Sequence, residues 1–164
     1  MPTATEKVRA SMNEQIPARK VHGSDEDYTF SDQVGFLLRR TYQRHLAIFQ
    51  EHASDPQLTS VQFSTLCALR DGGPQSQGEL VKATGVDQAT IRGIIDRLKA
   101  RRLIALSKDR EDARKVIVSL TNAGAKILKE MIPRAKEITE LTFGTLNPGE
   151  RTALVYTLRR MLEE

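Results

Sequence analysis

Between Lys82 and Leu120 the chain places ten Lys or Arg against five Asp or Glu, an excess larger than its whole net charge of +4. A local basic field of this kind favours a polyanionic partner. Within it, Gln88, Ala89, Thr90, Arg92 and Gly93 follow Asp87, a residue type suited to capping a helix. A glutamine amide can pair with adenine N6 and N7, and an arginine fork with guanine O6 and N7. The Ala89 side chain or the Thr90 methyl can pack on a thymine methyl. Gly93, without a side chain, lets a helix approach a surface closely. Arg97, Lys99 and Arg101 suit phosphates better than bases. Ser76 and Gln77 stand where a short helix opens, and free backbone N–H groups there suit a phosphate. Further on, Lys108, Arg110, Asp112, Arg114 and Lys115 crowd one polar segment.

Charge alone is equally consistent with a solvated basic helix face, so the elements that carry these residues decide the reading. Ser31 can cap a helix with apolar residues at three- and four-residue spacing from Val34 to Phe49, ended by Asp55-Pro56. Thr59 caps a second helix, which stops at Asp71-Gly72-Gly73-Pro74. A short helix from Gln75 to Thr84 ends at Gly85, a natural left-handed residue. Asp87 opens the next, which runs to about Arg101 with Ile91, Ile94, Ile95 and Leu98 inward. The period then falls from 3.6 to 2. Leu103–Leu106 and Val116–Leu120 read as two strands of a hairpin with the charged segment at its tip. Thr121 caps a long amphipathic helix, with a kink expected at Pro133. Asn147-Pro148 opens a last helix. Residues 1–29 hold no period and read as a mobile arm.

Helix, helix, short helix, glycine turn, helix and hairpin, in that order, match a helix-turn-helix followed by a wing. The basic excess falls on the second helix of that motif and on the wing. This coincidence points to double-stranded DNA. The fold class expected is mainly α with a small β-hairpin wing, over residues 30–164. Helices 30–53 and 121–164 lie outside a DNA-binding lobe at 57–120. They are apolar over wide faces, so they are expected to intertwine with a partner's termini in a homodimer.

Several segments resemble the multiple-antibiotic-resistance regulator (MarR) family. They are Leu58-Thr59-Ser60-Val61-Gln62-Phe63, Gly78-Glu79-Leu80 with Thr84-Gly85-Val86, and Asp96-Arg97-Leu98. The wing Asp109-Arg110-Glu111-Asp112-Ala113-Arg114, closed by Val118-Ser119-Leu120-Thr121, is the most specific of them. The resemblance implies a homodimeric winged helix-turn-helix repressor on a palindromic operator, released by a small phenolic or aromatic acid. It points to the branch that controls aromatic-acid or nicotinate breakdown. It also implies that a wing arginine enters the minor groove beside an aspartate that holds it, a pattern matched by Arg114 with Asp112 and then by Arg110. Two positions depart from the family. Arg102 stands where a glycine usually ends the recognition helix, and Ala105-Leu106 where a basic residue is common.

A carboxylate effector between the first helix and the DNA lobe would need donors, and Arg39, Arg40, Tyr42 and His45 are the candidates. Cys67 offers a second regulatory reading, a thiol switch, although its place in an apolar helix pattern fits core packing better. A winged helix adapted to protein binding, without sequence-specific DNA affinity, is a third. Enzyme classes fare worse. The sequence has no phosphate loop or dinucleotide glycine signature, and its three histidines show no metal-ligand spacing with the lone cysteine. No cofactor or metal is expected. No apolar run approaches the roughly 20 residues of a membrane span. One cysteine and an opening segment without a leader's apolar core suit a cytoplasmic protein.

Overall fold

The computed structural model describes residues 28–163 apart from 110 and 113. The expected arm at 1–29 therefore lies almost wholly outside the described residues. Two compact units divide within the first helix, after Leu37. In the first, a 3-10 turn Phe30–Asp32 precedes helix α1, Val34–His52. Ser31 sits inside that turn and does not cap α1. The Gln33 side-chain amide instead donates to the Thr29 carbonyl at 2.9 Å.

The second unit holds the rest of α1 and five further helices. These are α2 (Ser60–Gly72), α3 (Gln77–Thr84), α4 (Gln88–Ala100), α5 (Asn122–Phe143) and α6 (Pro148–Leu162). Their starts follow the side chains that the sequence offers. Thr59, Ser76 and Asn147 form reciprocal capping boxes with Gln62, Glu79 and Glu150, and Asp87 and Thr121 accept from first-turn N–H groups. Gly85 closes α3 in the left-handed region, at φ 67°. Pro133 lies within α5, which continues unbroken to Phe143 despite the lost backbone donor.

Strands β2 (Ile104–Lys108) and β3 (Val116–Leu120) pair antiparallel from Ile104↔Leu120 to Lys108↔Val116, so the hairpin reaches further than Leu106. A third strand, β1 (Gln75–Ser76), pairs with the other side of β3, giving the order β1-β3-β2. The short helix thus begins at Gln77, not at Gln75. Two residues cannot display a period, and this pairing reaches more than forty positions along the chain.

The core of this lobe is closed by its own chain. Leu58, Leu66, Leu80, Ile91, Ile94, Leu98, Val118, Leu128 and Met131 are all essentially inaccessible. Gly124 lets α5 press against the root of β2. A Cβ there would run into the Leu103 carbonyl and lie 2.7 Å from Leu120 Cδ1. The outer helices differ. Leu38, Tyr42, Leu154, Leu158 and Met161 remain 37–50% exposed.

Candidate nucleic-acid interface

The apolar stripe of α4 turns Ile91, Ile94, Ile95 and Leu98 into the core, so geometry leaves Gln88, Ala89, Thr90, Arg92 and Arg97 on the outer face. Gly93 sits between them, and the space above its Cα is open to 3.7 Å from Arg97 Nη2. Asp87 fixes the first turn. Its Oδ1 accepts from the N–H groups of Ala89 (3.0 Å) and Thr90 (2.9 Å), and its Oδ2 from the Thr90 hydroxyl (2.6 Å). The hydroxyl bond, followed by the Thr90 N–H, lowers the Asp87 pKa below the usual carboxylate range. With its hydroxyl committed, Thr90 offers the outside its methyl group.

The end of α4 answers the question raised by Arg102. Its φ is 59°, the only positive value outside glycine among the described residues. Its N–H donates to Lys99 O (2.8 Å) and the Leu103 N–H to Leu98 O (3.0 Å), with Leu103 and Leu98 both buried. This is a Schellman stop, built with arginine where glycine would be unstrained. Arg101, expected at a phosphate, is instead turned inward and paired with Asp55. It lies on the flank of α4 that faces the α1–α2 connector, a placement only the tertiary structure could supply.

Ser76 and Gln77 also have local work. The Ser76 hydroxyl and then its N–H, both donating to Glu79 Oε2 at 2.7 Å, lower the Glu79 pKa, and the Gln77 amide reaches Gln88 O at 3.3 Å. The start of α3 is therefore already served by a carboxylate, and Gln77 ties α3 to the first turn of α4.

In the wing, Asp109 Oδ1 accepts from the N–H groups of Asp112 and Glu111, both at 2.8 Å. These bonds, the Asp112 one first, lower its pKa. The Arg114 N–H and Nε lie 3.0 and 3.4 Å from Asp112 Oδ1, with the Arg114 side chain 94% exposed. Lys108 is exposed at the end of β2. Arg110 lies outside the described residues. Between α4 and the wing runs a concavity of about 290 Å³, bordered by Gln77, Arg92 and Asp96 and floored by Leu106, Val116 and Val118. Leu106 makes apolar a place where the family commonly sets a basic residue.

Of the four effector candidates on α1, the structure brings Tyr42 and His45 together, their rings stacked at 6.3 Å. His45 continues through Phe49 to Phe63 at 6.5 and 5.9 Å. Its Nδ1 lies 2.9 Å from Thr142 Oγ1, whose hydroxyl donates to Ile138 O (2.7 Å). The ring must then donate from Nδ1, which leaves Nε2 as an acceptor when neutral. Burial lowers the His45 pKa, favouring that neutral form. Arg39 and Arg40 are exposed on the same helix. Arg44, which sequence reasoning missed, donates to Thr142 O and Leu141 O at 2.5 and 2.9 Å, capping the C-terminal end of α5. Cys67 is half-buried, and desolvation pushes its thiol pKa up, opposite to what a sensor thiolate needs.

An exposed helix of base-reading residue types, held on a three-helix lobe beside an arginine-tipped hairpin, defines a winged helix-turn-helix protein. A model described as the MarR family matches residues 57–115. The chain is 64% identical over 136 residues to the HTH-type transcriptional repressor NicR of Pseudomonas putida, covering 83% of this chain and 86% of that one. Among solved structures, Bordetella bronchiseptica BpsR, whose DNA binding is described as regulated by 6-hydroxynicotinic acid, superposes with a TM-score of 0.80. It is 58% identical, over 84% of this chain and 98% of that one. A MarR variant from Escherichia coli complexed with operator DNA gives a TM-score of 0.72 at 26% identity, over 78% and 92% of the two chains. The chain belongs to the MarR family of winged-helix transcriptional regulators. No helix among its described residues is long and apolar enough to cross a membrane.

Proposed function

We propose that this chain is a homodimeric cytoplasmic repressor that binds a palindromic operator and is released by a small aromatic acid of the 6-hydroxynicotinate type. Its work is binding, with no catalytic step. Gln88, Ala89, Thr90, Arg92 and Gly93 read base edges in the major groove and Arg97 meets a phosphate, while Ser76 and Gln77 hold the opening of α3 in place beside them. Lys108, Arg110 and Arg114 serve the wing, with Asp112 orienting Arg114 towards a narrow minor groove. The observation that carries the reading is the 58% identity to BpsR over nearly its full length, given the exposed face of α4. The open apolar faces of α1 and α6 support dimerisation.

The acid is placed beside Tyr42 and His45. A neutral His45 offers its Nε2 to a ring hydroxyl, and the carboxylate falls to Arg39, which shares a helix face with Tyr42, whereas Arg40 lies on the far side. Selection of the protein from a random duplex pool, followed by titration of the selected site with 6-hydroxynicotinate, tests both halves. An enriched palindrome with half-sites about one helical turn apart is expected, and the acid should release it. No enrichment by a folded dimer would return the wing and α4 to a protein-binding role, and enrichment without release would remove the effector.

A further inference from the structure

The connector between α1 and α2 is tied to three different helices. Gln50 of α1 donates its amide to Pro56 O at 2.9 Å, and the Ser54 hydroxyl reaches Met131 Sδ of α5 at 3.6 Å. The third tie is the ion pair from Asp55 Oδ2 to Arg101 Nη2, at the C-cap of the recognition helix. The two side chains are only 20% and 24% exposed, so the pair is screened far less than a surface bridge. Asp55 is also fixed from the other side, because its Oδ1 accepts the Gln57 N–H at 2.9 Å.

Arg101 holds this position at a cost. Its Nη1 is buried with no hydrogen-bond partner, whereas a rotamer pointing outward would hydrate every donor. An ion pair sheltered in this way contributes more to orientation than to stability. The adjoining residue, Arg102, holds a strained left-handed backbone in the same stop. The pair therefore acts where α4 ends, opposite the residues that face the groove.

We infer that Asp55 and Arg101 are positioning residues for DNA recognition. Their ion pair anchors the C-terminal end of α4 to the connector and so sets the angle at which its first turns meet base edges. Arg101 itself touches no phosphate. The inference rests on the DNA-binding reading above, and it adds a link from the helix that bears the effector candidates to the helix that reads sequence.

The test compares affinity for the selected operator with affinity for an unrelated duplex, over a range of salt, in wild type, Asp55→Asn, Arg101→Met and the double variant. Asp55→Asn keeps the turn bond to Gln57 through its Oδ1 and turns an uncharged amide donor, in place of the carboxylate acceptor, towards Arg101. Each single variant should lower the operator-to-unrelated ratio by about tenfold or more, with the unrelated affinity and salt slope unchanged, and the double should be no worse than the poorer single. Arg101→Lys guards against a folding failure. Only Nη2 is engaged, so a point charge can replace it without the buried orphan, and most of the ratio should survive. An unchanged ratio in the neutralised variants overturns the inference, as does an Arg101→Lys as damaged as Arg101→Met. So does an Arg101→Met that weakens both duplexes alike and reduces the salt slope by about one, the mark of a phosphate contact. Wild type without operator preference would instead sink the DNA reading itself.

Discussion

Helices α4 and α6 have 13 and 15 residues, and both repeat apolar side chains at helical spacing. Yet α4 buries Ile91, Ile94, Ile95 and Leu98, whereas α6 buries none of its residues and leaves Met161 half exposed. Helix α1 lies between these extremes, with Phe49 alone buried. Similar patterns therefore have different fates. The reading lobe completes its core within one chain. The outer helices hold back part of the roughly 1.5–3 kcal/mol that each fully buried Leu or Ile contributes, and a second chain can supply that burial.

The sharpest way to break this contrast is to cut into both cores. Leu98→Ala, at a fully buried site, should cost about 2–5 kcal/mol in urea unfolding. Leu158→Glu should leave amide-exchange protection of α4 intact while sedimentation shows the dimer lost. A dimer that survives this charge would show that α6 is not the seam. Gly124→Ala forces a methyl against the Leu103 carbonyl and should cost about 1–3 kcal/mol, since backbone cannot move aside as a side chain can. Arg102→Gly has the opposite sign. Relief of the left-handed strain outweighs the added chain entropy, and a gain of about 0.5–1 kcal/mol in chemical denaturation is expected.

The smallest effect concerns pH. His45 titrates below its ordinary 6.5 in the folded chain, so the unfolded chain binds more protons in that range. Its contribution is fully present above pH 6.5 and is lost as pH falls towards the depressed folded value. Thermal unfolding of wild type should therefore weaken through this window more than that of His45→Gln. Equal pH profiles would remove burial of His45 as the cause.

Local chemistry made much of this protein legible in its sequence. Thr59, Asp87, Thr121 and Asn147 announce helix starts because each carries its own acceptor to the first turn, and Gly85 announces a stop because a left-handed residue disfavours a Cβ. The stripe of α4 settles which of its side chains face outward, so the candidate base-reading residues could be named from spacing alone. The family resemblance marks Arg102 as a departure at the end of that helix, and the structure shows what the departure is, a left-handed arginine.

What remained hidden depends on partners distant in the chain. Gln75-Ser76 becomes a strand only because β3 lies beside it. Ser31 loses its cap because the chain enters α1 through a 3-10 turn. Arg101 is one basic residue among ten until Asp55, 46 positions earlier, draws it inward, and Arg44 becomes a helix cap only where α5 happens to end. Hydrogen-bond donors and periods over a few residues are properties of the sequence itself. Which charge meets which, and how closely two backbones can approach, is decided when the packed lobe brings distant segments into contact.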